Sequence, residues 1–204
     1  RQMCIRDSGD ISTTSFFPAK PLGCYGDGGA VFTDNDEWAA LADSYRVHGK
    51  GMFKYDNVRI GMNSRLDTLQ AAILKIKFKA FREYELRDIN KAAALYTRLL
   101  AGRVKTPVTP EGYYSSWAQY TICLNSREER DALQACLKEQ GIPSMVYYPT
   151  PMHGQTAYKA LNAPTDCCPT AKRLCDTVLS LPVHPYITEE EIETVCSVIL
   201  GFVR

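Results

Sequence analysis

Lys20 is the residue of this chain best placed to act as a nucleophile. It stands between Pro18 and Pro21, after the hydroxyl of Ser15 and before a glycine cluster at residues 23–29. Proline fixes φ and removes a backbone donor, so no regular helix or central strand continues through this loop. Glycines allow tight turns and a close approach of the backbone to a ligand. A lysine on so stiff a loop is a candidate Schiff-base nucleophile. The structural alternative is an isolated surface lysine.

Ordered blocks of sequence resemble the DegT/DnrJ/EryC1/StrS family. The first block is the Lys20 segment at residues 14–30, and His48-Gly49 follows it. The later blocks are IGMNSRLDTLQAA at 60–72, YYPTPMH at 147–153 and LSLP at 179–182. Members of this family are pyridoxal-phosphate (PLP) aminotransferases that act on nucleotide-linked keto-sugars. The resemblance therefore implies transamination, with Lys20 as the residue that carries PLP.

The same resemblance implies an α/β fold, the C-terminal part of a fold-type I PLP-dependent transferase. Residues 9–103 would form part of the large PLP-binding domain with its parallel sheet and a long helix. Residues 104–204 would form a small α+β domain, with the boundary near the Pro/Gly/Tyr-rich linker at 104–116. Residues 1–8 show no periodicity and resemble a translated sequencing adaptor, so we set them aside as non-native.

Three further residues are assigned to the cofactor and substrate by the resemblance. Ser15 matches a hydroxyl that contacts the PLP phosphate, although a strand-end hydroxyl bonded to backbone is the structural alternative. Asn63 matches an asparagine that reaches the phosphate held by the neighbouring subunit, and at a predicted helix start it could equally be a cap. Arg65 matches a position near the sugar nucleotide across a dimer interface, where a guanidinium grips phosphate or carboxylate bidentately.

Tyr147, Tyr148 and His48 complete the expected substrate-binding residues. Tyr147 stands where relatives that aminate UDP-linked 3-keto uronic acids often carry histidine, which weakens a specific substrate assignment. His48 borders the site or serves as a loop residue. The expected acidic partner of the pyridine nitrogen, the aromatic residue that stacks on the ring and the phosphate-binding helix would lie upstream of Gly9. The isolated chain is therefore expected to be inactive.

Composition excludes several function classes. The 24 Lys and Arg residues nearly balance the 23 Asp and Glu residues, so no basic field indicates nucleic acid or an anionic membrane. No apolar run approaches the roughly 20 residues that cross a bilayer. Eight cysteines without C-x-x-C pairs favour a reducing cytoplasm. Cys167, Cys168 and Cys175 could form a metal cluster, but no histidine has ligand spacing in the sequence, and we assign no metal site.

Sequence patterns predict the elements that position these residues. Strands are predicted at 12–17, 29–33, 117–124 and 142–148. A helix at 34–46 would start at an Asp-Asn-Asp turn, and residues 49–59 would form a loop. The longest helix would run from Ser64 to Leu100 with a break near 79–84. Further helices are predicted at 127–140, 169–178 and 188–202, the last with a Thr188/Glu191 capping box.

The leading interpretation is a homodimeric, cytoplasmic aminotransferase for surface-polysaccharide synthesis. Its substrates would be a UDP-linked keto-sugar and an amino-acid donor, expected to be glutamate. A PLP-dependent sugar dehydratase of the same family is an alternative, but those relatives carry histidine where Lys20 stands. The third hypothesis is a non-catalytic module for dimerisation or small-molecule sensing.

Overall fold

The computed structural model describes residues 9–53, 55–162, 164 and 167–203. The expectation that residues 1–8 are non-native lies outside these residues. The chain divides into two compact units. Unit 1 comprises the described residues of Arg1–Tyr84 with Pro110–Ser115, and unit 2 those of Glu85–Thr109 with Ser116–Arg204. The domain boundary expected at 104–116 stays a prediction for the longer protein.

Helices and short strands alternate along the chain. The strands are β1 (Ser12–Ser15), β2 (Gly29–Phe32), β3 (Tyr120–Cys123) and β4 (Val178–Leu181). The α-helices are α1 (Asp36–Tyr45), α2 (Thr68–Ala80), α3 (Leu86–Leu100), α4 (Arg127–Glu139), α5 (Pro169–Thr177) and α6 (Glu189–Phe202). Phe81–Glu85 forms a π-helical turn, and Met152–Gly154 and Thr156–Leu161 form 3₁₀ turns. No helix among the described residues has the length and apolar character that a membrane crossing needs.

Unit 1 is built on an antiparallel pair of strands. Strand β1 pairs with β2 in a register that sets Ser15 opposite Gly29. Helix α1 begins as predicted, because the Asn35 side chain accepts a hydrogen bond from the backbone N–H of Trp38 at 3.0 Å. The expected parallel neighbours of β1 and β2 are not among the described strands. The two strands therefore pair only with each other within the described residues.

The start of the long helix differs from the prediction. Helix α2 begins at Thr68, and its N-cap residue Asp67 makes no side-chain capping bond. Residues 61–64 are instead drawn into antiparallel contact with residues 45–48. The N–H of Met62 donates to the carbonyl of Tyr45 at 2.8 Å, and the N–H of Ser64 donates to that of Arg46 at 2.9 Å. The Ser64 capping box is therefore wrong, because this backbone pairing holds Ser64 outside the helix.

Unit 2 contains the main hydrophobic core. Helices α3, α4 and α6 pack around the antiparallel pair β3–β4. Tyr96 and Tyr120 are fully buried and stack with ring centroids 5.0 Å apart. The hydroxyl of Tyr96 donates to the carbonyl of Pro182 at 3.0 Å, so the ring is buried without losing its polar partner. Among the described residues, the only buried apolar side chains outside unit 2 are Cys24 and Leu74.

Elements in and beside unit 2 follow the sequence patterns unevenly. The predicted break near 79–84 is confirmed as the π-helical turn Phe81–Glu85. The strand predicted at 142–148 is wrong, since only Met145 forms a bridge, with Ser180. The helix predicted to end at Val178 ends at Thr177, and β4 begins at the next residue. The capping box of α6 is confirmed: Thr188 and Glu191 exchange both expected hydrogen bonds.

Candidate functional site

The Lys20 loop is closed by hydrogen bonds at its base. The N–H of Phe16 donates to the carbonyl of Gly28, and the N–H of Cys24 donates to the carbonyl of Phe16, both at 2.8 Å. The fully buried Cys24 thiol lies 3.0 Å from that same carbonyl. The N–H of Lys20 donates to the carbonyl of Phe17 at 2.8 Å, while its side chain is exposed. The loop therefore presents a solvent-facing amine on a backbone tied at several points.

Gly23 is required by this closure. A Cβ at Gly23 would lie 2.7 Å from the carbonyl oxygens of both Phe17 and Pro18. Such distances are far inside van der Waals contact, so only glycine fits without a backbone shift. The loop also lies against α2, because the N–H of Tyr25 donates to Oε1 of Gln70 at 2.8 Å. These contacts fix the position of the segment that carries Lys20.

Ser15 ends β1 at the entrance to the same loop. Its Oγ accepts a hydrogen bond from the N–H of Phe17 at 3.2 Å. The side chain is exposed, and a hydroxyl oxygen that accepts this bond still has its own proton to donate. The backbone-bonded alternative and the phosphate role are therefore compatible in one geometry.

Asn63 and Arg65 are direct partners. The Nε of Arg65 donates to Oδ1 of Asn63 at 3.1 Å, and both side chains are exposed. Together with Thr14 of β1 they line a cavity of about 1040 Å³ in unit 1. Asn63 does not stand at the N-terminus of α2, so the expected contribution of a helix dipole at this position is wrong. The residue is placed instead by its bridge to Val47.

His48 occupies a tight turn. Its φ is +62° and that of Gly49 is +72°, both in the left-handed region. A Cβ at Gly49 would lie 1.9 Å from the carbonyl oxygen of Arg59, and one at Gly61 would lie 2.1 Å from the backbone nitrogen of Gly49. The backbones of residues 48–49 and 59–61 thus touch directly. The His48-Gly49 block is therefore explained by this close approach, and a substrate role for His48 stays a prediction.

Tyr147 and Tyr148 belong to unit 2. Their rings meet edge to face, with centroids 5.5 Å apart and an interplanar angle of 72°. Both remain substantially exposed, Tyr148 at 66%. The pair offers two phenol hydroxyls and two ring faces on the surface of unit 2. Of the predicted site residues, unit 1 therefore holds Lys20, Ser15, His48, Asn63 and Arg65, and unit 2 holds the tyrosine pair.

Two residues that position the Lys20 loop, Gln70 and Cys24, were not evident from the sequence. Gln70 contacts the loop across 45 residues of sequence, which no local pattern reveals. The Cys24 thiol is 0% exposed and lies within 3.0 Å of two carbonyl oxygens. The position of Cys24 inside a glycine-rich stretch is the one sequence feature that could have indicated this role, because a closed loop needs a small buried residue at its base.

The model of the DegT/DnrJ/EryC1/StrS aminotransferase family matches residues 2–200 of this chain. The Pleiotropic regulatory protein of Geobacillus stearothermophilus is 43% identical over 205 residues, covering 98% of this chain and 54% of that protein. The UDP-2-acetamido-2-deoxy-3-oxo-D-glucuronate aminotransferase of Pseudomonas aeruginosa is 42% identical over 188 residues, covering 92% and 50%. Relatives named for dTDP-linked sugars match as well.

A solved structure of NtdA from Bacillus subtilis, with bound cofactor PMP, is similar with a TM-score of 0.87 at 29% sequence identity. The match covers 98% of this chain and 47% of that one. The chain spans about half the length of the curated relatives that it matches. It belongs to the DegT/DnrJ/EryC1/StrS aminotransferase family and shares the fold of its PLP-dependent fold-type I members.

Proposed function

We propose that the protein containing this chain transfers an amino group from an amino acid to a nucleotide-linked keto-sugar. The observation that carries this proposal is Lys20, exposed on a closed loop, in a chain that matches the aminotransferase family over residues 2–200. PLP, when bound, supplies the electron sink that acidifies the α-carbon of the amino donor. The residues of this chain bind that cofactor and move the proton.

The groups on the Lys20 loop fit a phosphorylated aldehyde. A primary amine is the nucleophile that condenses with an aldehyde carbon. The Lys20 side chain is exposed, and the backbone of its loop is held by hydrogen bonds. Ser15 offers a hydroxyl at the start of the same loop, suited to a phosphate oxygen. We assign Lys20 Nζ the covalent attachment of the cofactor. Once the amino group of the donor has displaced Nζ, the freed amine would move the proton at the donor α-carbon, as base and then acid.

Asn63 and Arg65 are proposed to serve a site shared between two subunits. Their hydrogen bond leaves the Asn63 Nδ2 amide and the terminal nitrogens of Arg65 as additional donors along the cavity wall. Donors of this kind suit the phosphate of the cofactor and the diphosphate group of a nucleotide-linked sugar. A homodimer in which each subunit lends this pair to its partner would bring both groups to one cofactor. Tyr147, Tyr148 and His48 are proposed to bind the sugar nucleotide.

The proposed keto-sugar is UDP-linked, with glutamate as the amino donor. A relative at 42% identity is named for a UDP-linked sugar, which supports this choice. The proposed reaction would take place in the cytoplasm and serve surface-polysaccharide synthesis. Tyr147, in place of the histidine expected for 3-keto uronic acids, leaves the choice of sugar to experiment. A dTDP-linked substrate is the second candidate, since dTDP-sugar transaminases also match the chain. Parallel assays with UDP-linked and dTDP-linked keto-sugars would separate the two.

Borohydride reduction of the longer protein, loaded with PLP, tests the cofactor assignment. Reduction makes the bond between lysine and cofactor permanent, and peptide mapping then locates it. We expect the label on Lys20 and none on Lys50, another exposed lysine of unit 1. A label on another lysine would overturn the assignment. Labelling of Lys20 without amino transfer to any keto-sugar would favour the binding-module alternative.

A further inference from the structure

Three metal-ligating side chains meet in unit 2, and none of them has a role in the transamination proposed above. A ring nitrogen of His153 and the sulfurs of Cys167 and Cys168 all lie within 4.8 Å of one another. His153 is half-buried and the two cysteines are exposed. Two sulfurs and an imidazole form a ligand set typical of Zn²⁺. The sequence did not reveal this group, because a histidine separated from Cys167 by thirteen residues matches no short zinc motif.

Local structure holds each of the three ligands in place. His153 lies in the 3₁₀ turn Met152–Gly154, where the N–H of Gly154 donates to the carbonyl of Pro151 at 2.9 Å. Cys168 is the N-cap residue of α5, and its carbonyl accepts from the N–H of Lys172 at 3.1 Å. The N–H of Cys167 donates to the carbonyl of Pro164 at 3.2 Å. Each of the three ligands therefore stands on backbone that is already hydrogen-bonded within its own segment.

We propose that His153, Cys167 and Cys168 bind one Zn²⁺, with water as the fourth ligand. Tetrahedral Zn²⁺ with Zn–S bonds of ~2.3 Å and Zn–N bonds of ~2.0 Å needs ligand atoms about 3.5–3.8 Å apart. The observed upper limit of 4.8 Å requires a contraction of about 1 Å, within the reach of side-chain rotation. Binding would attach the 3₁₀ turn at 152–154 to the start of α5. This proposal differs from the sequence-based expectation that the chain has no metal site.

The other cysteines distinguish this site from general thiol binding. Cys175, which the sequence placed beside Cys167 and Cys168, is not part of the group that the described residues form. It lies in α5, the helix whose N-cap is Cys168, and it is half-buried, so it is a control close to the proposed ligands in the chain. Cys196 is buried in the core, and burial raises the pKa of its thiol to about 12, which keeps it protonated and poorly reactive.

Metal titration of the full chain tests the proposal. The reduced, chelator-stripped protein would be titrated with Zn²⁺ against a chromogenic competitor, and with Co²⁺ as a spectroscopic probe. We expect one equivalent of Zn²⁺ and a thiolate-to-cobalt charge-transfer band. Replacing one of only three protein ligands, as in His153→Ala or Cys168→Ser, should weaken binding at least as much as the loss of an outer-shell partner, by about 100-fold. Cys175→Ser should leave both affinity and spectrum unchanged.

Several results would overturn the site. Equal affinity in wild type and His153→Ala would mean that exposed thiols alone collect the metal. Equal weakening by Cys175→Ser would mean that the effect is not local. Far-UV circular dichroism of each variant shows whether it folds. X-ray absorption of the wild-type zinc complex supplies a readout without substitution: two sulfur scatterers and a nitrogen support the site, and oxygen and nitrogen alone refute it.

Discussion

The Nε of Arg65 donates a hydrogen bond to Oδ1 of Asn63 across one intervening residue, at 3.1 Å. This contact orients the Asn63 amide so that its Nδ2 is the end left to donate. It also aligns two groups that the family resemblance assigns to the neighbouring subunit's site. Because both residues are exposed and line one cavity, they would be offered to a partner as a unit.

Hybrid dimers should reveal whether the active site is shared. In the longer protein, a Lys20→Ala subunit and an Arg65→Ala subunit would each be inactive or nearly so as homodimers. A hybrid has one site with Lys20 from one subunit and Arg65 from the other, both wild type. Random mixing of a two-fold dimer therefore should restore about one quarter of wild-type transamination.

A second mixture is the control for the hybrid experiment. Ser15 and Lys20 lie on the same loop of one subunit. A mixture of Lys20→Ala and Ser15→Ala subunits should therefore restore nothing beyond the activity of Ser15→Ala itself. Equal recovery in both mixtures, or no recovery in the first, would contradict a site that Arg65 completes from the partner.

Lys20→Ala should leave stability almost unchanged. The Lys20 side chain is exposed, and the described loop contact is made by its backbone N–H, which alanine retains. We expect a change in the free energy of unfolding within about 0.5 kcal/mol, together with complete loss of transamination in the longer protein. Urea denaturation beside the activity assay measures both. A large loss of stability would show that Lys20 has a structural role.

Gly23→Ala should disturb the Lys20 loop. Its Cβ would meet two carbonyl oxygens at 2.7 Å, so the loop must open or shift, at a cost of about 1–3 kcal/mol. Gly201→Ala is the matched control, since a Cβ at this helical residue would meet no atom within 4 Å beyond the neighbouring backbone of its own helix. We expect that control to be neutral or slightly stabilising. Hydrogen exchange of the Cys24 N–H reports on the loop, and protection equal to wild type in Gly23→Ala would contradict the crowding argument.

The contribution of Glu191 to stability should fall as the solution is acidified. The backbone N–H of Thr188, and then its hydroxyl, bind the Glu191 carboxylate and lower its pKa below the ordinary value of 4.5. A folded-state pKa below the unfolded one adds stability above about pH 4.5, and this is lost as pH falls through the folded value. The difference in unfolding free energy between wild type and Glu191→Gln should therefore shrink on acidification. A constant difference across that range would contradict the linkage.

Local signals in the sequence predicted the helices of unit 2 well. The capping box of Thr188 and Glu191 is written within four residues, and α6 begins beside it in the structure. The break before α3 was visible as an interrupted apolar stripe. Such features depend on neighbours in the chain, so the sequence alone contains them.

Contacts between distant segments escaped prediction. Ser64 resembled a cap, but its N–H donates a hydrogen bond to the carbonyl of Arg46. The helix therefore begins later, at Thr68. Strand β4 escaped prediction because Val178–Leu181 is buried throughout and shows no alternation. At the candidate site, the sequence was enough to single out Lys20 as a candidate nucleophile and Ser15 as a hydroxyl on the same loop. The link between Gln70 and the loop, and the meeting of His153 with two cysteines, required three-dimensional structure.

The two tryptophans of the chain fall one in each unit. Trp38 lies in α1 of unit 1 with 40% of its surface exposed, and Trp117 in unit 2 lies 5.6 Å from the ring of Tyr120 and donates to Asn90. With excitation at the red edge, where tyrosine does not absorb, tryptophan emission from Trp117→Phe protein would therefore report only the Lys20-containing unit, and that from Trp38→Phe protein only the core-rich unit. Intrinsic emission can thus follow the unfolding of each half of this chain separately, with no added label.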